Sequence, residues 1–171
     1  MRKMKKTKTQ FLTQAAMIAA FYVVITVALA PISFGEIQFR VSEALTILPV
    51  FTPAAIPGLF LGCLIANMLG KGIILLDIVI GSFATLIGAI GTYSIRKHKK
   101  LAPLPPIIAN ALLVPFVIKY GYGAPLPIPV LMVTVGIGEI LSCGVLGMIV
   151  MRALEKTNIF SSTTSSKIKQ S

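Results

Sequence analysis

Acidic residues are scarce in this chain: Glu36, Glu43, Asp77, Glu139 and Glu155 are the five among 171 positions. Charged residues of both signs make up 12%, against roughly 25% in a soluble globular domain. Cysteine occurs twice, at Cys63 and Cys143, each inside an apolar run and without CxxC spacing, and the single histidine, His98, lies in a basic loop. No disulfide framework and no metal site follows from that pattern. A GxxxxGK[ST] phosphate loop is missing, "GKGI" at Gly70 to Ile73 lacking the rest of it, as are a GxSxG elbow and an HExxH helix. Neither a nucleophile with its base nor a set of metal ligands can be assembled, so the chain does not read as an enzyme. A transporter driven by ATP would need another protein to hydrolyse it.

What is present is apolar. The chain is 56% hydrophobic with mean hydropathy +0.90, which identifies a membrane protein. A hydrocarbon core of about 30 Å takes about 20 helical residues per span, leaving room for one membrane domain and no separate soluble one. Spans are expected over Phe11 to Ala30, Ile73 to Ile95, Pro103 to Tyr120 and Pro127 to Met151. The first follows a basic start, but its apolar stretch exceeds a signal-peptide core and further spans follow, so it is kept as a span.

The net charge of +11 is distributed by topology: thirteen of the sixteen Lys and Arg residues fall in Arg2 to Lys8, Arg96 to Lys100 and Arg152 to Lys169. Each cluster flanks an apolar run, as the positive-inside rule requires, and suits anionic lipid; no basic stripe with interleaved aromatics points to nucleic acid. The N-terminus and the Arg96 to Lys100 loop should then share a side, so an even number of spans separates them. Val41 to Gly70, broken by Pro49, Pro53 and Pro57, therefore reads as two short helices near Glu43 to Phe51 and Ala54 to Leu69, with "TPAAIP" as a cytoplasmic turn. The expectation is an all-α integral membrane protein: a six-helix bundle over residues 1–157 with both termini cytoplasmic, followed by a polar, disordered tail over 158–171.

An ionisable residue within the membrane costs on the order of 3 kcal/mol on insertion scales and is a functional candidate by default. Glu139 lies near the middle of the last helix, on a face with the small residues Gly136, Ser142, Cys143 and Gly147; it reads as a ligand contact or as a structural carboxylate. Asp77 at the start of its helix reads equally as a dipole-favoured cap or a site residue. Asn110, at mid-depth, can meet a ligand or bind two helices together. Asn67 and Lys119 read as interfacial or snorkelling. In "QAAMIAA", Ala15 with Ala19 and Ala16 with Ala20 form two small-xxx-small pairs, serving internal packing or a partner.

Three segments carry a family resemblance: "LAPISFGEIQFRVSEALTILPVFTPAAIPGLFLGCLIAN" (Leu29 to Asn67), "LLDIVIGSFATL" (Leu75 to Leu86) and "LAPLPPIIANAL" (Leu101 to Leu112). They resemble the QueT family, queuosine-precursor substrate-binding subunits of energy-coupling factor transporters. The resemblance implies a six-helix cell-membrane subunit that takes its substrate from outside under a lid formed by the loop after the first helix. It implies assembly with a transmembrane coupling protein and two cytoplasmic ATPases, docking through the first-helix alanines, here Ala15, Ala16, Ala19 and Ala20, and toppling of the subunit during transport. No cofactor or metal is implied.

A 7-deazaguanine substrate offers N–H donors on its guanine edge and, in the aminomethyl form, a cationic amine. Given that substrate, Glu139 is assigned to the guanine edge with Asn110 beside it, and Asp77 or Glu43 to the amine. Phe34 or Phe39 would stack on the ring or anchor the loop at the interface. Arg40 would pair Glu36 or Glu43 by helical spacing. The competing reading is a stand-alone secondary transporter in which Glu139 and Asp77 relay protons.

Overall fold

The computed structural model describes residues 7–33, 39–70 and 74–157. Phe34, Glu36, Lys71 and the 158–171 tail lie outside them, so the stacking role of Phe34 and the Glu36 pairing are not addressed. Among the described residues the regular structure is helical, without strands.

Helix α1 spans Lys8–Ala28 and opens with a capping box: the Thr7 side chain accepts from the Gln10 backbone, and the Gln10 side chain accepts from the Thr7 backbone. A short turn, Ala30–Ser33, follows. Next come α2, Val41–Val50, wound as a 3-10 helix, and α3, Ala55–Leu69. These are the two short helices read from charge parity, set one to two residues apart from the expected bounds. Helix α4, Asp77–Ser94, begins with a π-helical turn over Asp77–Gly81. Helix α5, Leu104–Tyr120, leads to α6, Ile128–Lys156, which carries a π-helical stretch over Ile140–Leu146. Four helices, α1, α4, α5 with its preceding turn, and α6, are long and apolar enough to cross a membrane. They expose large apolar side chains such as Leu12, Phe21, Phe83, Ile108 and Ile149, a surface that only a lipid environment accommodates. The chain is a multi-pass membrane protein.

Helix α2 is the central strut, touching α1, α3, α4 and α6. Ser42, Glu43, Thr46, Ile47 and Leu48 are all buried. A ten-residue 3-10 helix exceeds the usual three or four residues, and its neighbours hold it on every side. Helices α1 and α3 meet through small residues. A Cβ on Gly58 would stand 2.8 Å from the Ala15 carbonyl, and one on Gly62 would stand 3.1 Å from the Ala19 backbone. Ala15 and Ala19 are thus occupied internally by α3, while Ala16 and Ala20 are exposed. Near one end of the bundle the Lys99 ammonium donates to Glu155 at 2.6 Å, and Thr92 donates to the Ala102 carbonyl. The first ties the basic loop to the last turns of α6, the second joins α4 to the start of α5.

Candidate ligand site

A jacket of apolar side chains encloses a set of buried polar groups that fall into two clusters. The deeper one centres on Glu43. Tyr22, on the Ala15/Ala19 face of α1, donates its hydroxyl to one Glu43 carboxylate oxygen, and Thr85 from α4 donates to the same atom at 3.4 Å. The other Glu43 oxygen is buried without a hydrogen-bond partner among the described residues. Across from it, α6 supplies Glu139 and Cys143, four residues apart, with the thiol donating to Glu139 at 3.1 Å. One ligating atom from each of Glu43, Glu139 and Cys143 lies within 4.8 Å of the others. The Asn110 side chain from α5 lies beside both carboxylates. Thr26 and Ser42 pair at 2.6 Å, and Thr46 sits 3.3 Å from the Cys143 sulfur.

The second cluster surrounds Asp77. Arg40 reaches its carboxylate at 3.4 Å, also donating to the Ser33 carbonyl and lying 3.7 Å from the Cys63 sulfur. Tyr122, in the loop after α5, donates to Asp77 Oδ2 at 2.7 Å, and the Asn67 amide donates to the Asp77 carbonyl at 2.9 Å. Burial, and the adjacent Asp77 carboxylate, raise the Tyr122 phenol above its ordinary range, so it remains a donor. Segments from the α1–α2 connection, α3, α4 and the α5–α6 loop meet here.

The structure therefore divides the residues singled out from sequence. Glu139, Asn110 and Glu43 come together. Arg40 also meets Asp77, 37 positions away, while Glu43 accepts from Tyr22. Phe39 is half-buried at the entrance to α2. Asn67, read as interfacial, is 2% exposed and holds the α4 backbone; a buried amide needs such a partner. Lys119 donates to the Ala124 and Pro125 carbonyls, holding the α5–α6 loop. Tyr22, Thr85, Cys143 and Tyr122 were not singled out. Tyr22 had a signal, since Ala15, Ala19, Tyr22 and Thr26 repeat at helical spacing along one face.

An open apolar groove of about 570 Å³ also runs between α4 and α5, past Gly91, Pro105, Ile108 and Leu112. It lacks charged groups, unlike the two buried clusters.

Long apolar helices wrapped around buried charged groups define a polytopic membrane protein with a polar interior. The chain belongs to the QueT transporter family, whose model matches residues 12–156. It is also similar to a protein of Lactococcus lactis subsp. cremoris (strain MG1363) described as "Queuosine precursor transporter QueT". The two are 40% identical over 86 residues, 49% of this chain and 50% of that protein, so the match spans about half of each. No solved structure matches.

Proposed function

We propose that this protein is the substrate-binding membrane subunit of an energy-coupling factor transporter that takes up a queuosine precursor, a 7-deazaguanine, while partner subunits hydrolyse ATP. The observation that carries the reading is the facing pair Glu43 and Glu139, with one buried Glu43 oxygen free to accept. A guanine edge presents parallel N–H donors that a carboxylate accepts in a bidentate manner, and an aminomethyl substituent adds a cation for the second carboxylate. Asn110, beside both, can donate to or accept from the ring. Phe39, and Phe34 outside the described residues, are the proposed stacking groups.

In this reading Asp77 acts apart from the ligand. With Arg40 and Tyr122 it fastens the loop before α2 to the loop after α5 and closes the mouth. All six helices cross the membrane with both ends cytoplasmic, in keeping with the basic loop meeting the end of α6. The coupling subunit docks on Ala16 and Ala20, the exposed pair. A proton relay through Glu139 and Asp77 is less well supported, because Asp77 is engaged by Arg40 and Tyr122.

The test is ligand affinity of the purified protein against a panel of deazapurines. Glu139→Gln and Glu43→Gln should each weaken binding at least tenfold, about 1.4 kcal/mol, while Asp77→Asn alters mainly the rates of entry and release. Unchanged affinity in both glutamate variants would sink the assignment.

A further inference from the structure

We infer that Glu43, Glu139 and Cys143 form a site for a thiophilic divalent cation of the zinc or cadmium type. Two carboxylates and a thiol converge from α2 and α6, each residue no more than 2% exposed, with ligating atoms within 4.8 Å of one another. A zinc ion lies about 2.3 Å from sulfur and about 2.0–2.2 Å from oxygen, so in a tetrahedral set its ligand atoms stand roughly 3.4–3.6 Å from each other. The widest of the three separations thus needs to close by up to about 1.3 Å for a tetrahedral ion, while Cys143 and Glu139 already meet at 3.1 Å.

A second observation points to an occupant. One Glu43 oxygen is buried without a hydrogen-bond partner, while the other is fixed by Tyr22 and Thr85. Outer hydrogen bonds of that kind orient metal-ligating carboxylates. Glu139 and Cys143 lie on one turn, at the start of the π-helical stretch Ile140–Leu146, and such bulges gather at functional sites. The donor set selects the ion: magnesium and calcium take six or more oxygens, whereas one sulfur with two carboxylates suits zinc or cadmium. On binding, the Cys143 thiol proton leaves to solvent, and the sulfur and one oxygen from each glutamate bond the ion. One position of a tetrahedral set stays open for water. Where the base occupies these carboxylates, as in the reading above, ion and base exclude each other; this clause alone rests on that reading.

The experiment titrates the purified full-length chain with cadmium chloride and follows the ultraviolet sulfur-to-metal charge-transfer band. One equivalent should saturate the band, Cys63→Ser should retain it, and Cys143→Ser should abolish it. Glu43→Gln and Glu139→Gln should weaken it by at least about tenfold. No saturable band, or one lost in Cys63→Ser and kept in Cys143→Ser, overturns the site. X-ray absorption on the cadmium-loaded wild type needs no variant: one sulfur with oxygen neighbours is expected, and an all-oxygen or two-sulfur shell overturns it. Base affinity measured without metal keeps the outcomes separate. Base binding without cadmium binding removes only the metal site; cadmium binding without base binding removes only the proposed substrate.

Discussion

A Cβ placed on Gly62 would stand 2.8 Å from the Cβ of Tyr22, so α1 and α3 touch where the tyrosine begins its reach toward Glu43. A close helix contact and a fully buried hydrogen bond share one residue. Gly62→Val should push α1 away, lowering stability by roughly 1–3 kcal/mol and loosening ligand binding. Gly136→Ala is the matched control, since its Cβ would meet Ala111 at 3.9 Å, an ordinary contact. Thermal unfolding in detergent separates the two; equal midpoints for both variants would contradict the close approach.

Tyr22→Phe keeps the ring and removes the donor. Glu43 then loses the phenol and keeps only Thr85 on that oxygen, a loss on the order of 1–3 kcal/mol for a buried charged acceptor. Ligand affinity should fall alongside thermal stability, whereas Tyr22→Leu should add a packing loss. A Phe variant indistinguishable from wild type in both measurements would remove Tyr22 from the site.

Arg40→Ala strands Asp77 in a buried place and should destabilise by about 3–5 kcal/mol. The double variant Arg40→Met/Asp77→Asn, which removes both charges of the pair, should recover much of that loss. Stopped-flow release of ligand should quicken in both, since the mouth is unfastened. If the double variant is as unstable as the single one, the pair is not the reason for the loss.

Tyr122 gives a pH expectation. Its phenol titrates above the ordinary value of about 10, so the folded state holds that proton more firmly than the unfolded chain. The bond to Asp77 therefore contributes fully through neutral pH and is lost only as pH rises past the ordinary tyrosine range. Tyr122→Phe should remove this alkaline loss of stability; a profile identical to wild type would contradict it.

Ala16→Trp should leave ligand binding intact and abolish co-purification with the coupling complex proposed above. Ala15→Trp should instead disrupt folding, because that alanine lies against Gly58. Persistent co-purification of Ala16→Trp would move the docking face elsewhere.

The helices were legible because each long span follows from apolar run length, and charge parity asked for two short helices between Arg40 and Lys71. Their winding was not legible: 3-10 geometry in α2 and π turns in α4 and α6 come from tertiary packing, which residue spacing does not encode. Glu139, Asn110 and Glu43 stood out because polar groups are expensive in an apolar chain. The Arg40 contact with Asp77 was not legible, because helical spacing sees only three or four residues ahead and the fold brings Asp77 in from 37 positions away. Cys143 and Thr85 were hidden by being ordinary inside apolar helices, gaining meaning only beside the two carboxylates.

Helix α3 carries a physical consequence for the surrounding bilayer. Its fifteen residues rise about 22 Å, against a hydrocarbon thickness of about 30 Å, and Leu61, Ile65, Met68 and Leu69 face outward. In the six-span arrangement proposed above, acyl chains beside it must compress to cover a wall shorter than themselves, at a fraction of a kcal/mol for each ångström of mismatch. The protein thus carries a thinned annulus on one flank, and short-chain lipids should gather there in preference to long-chain ones.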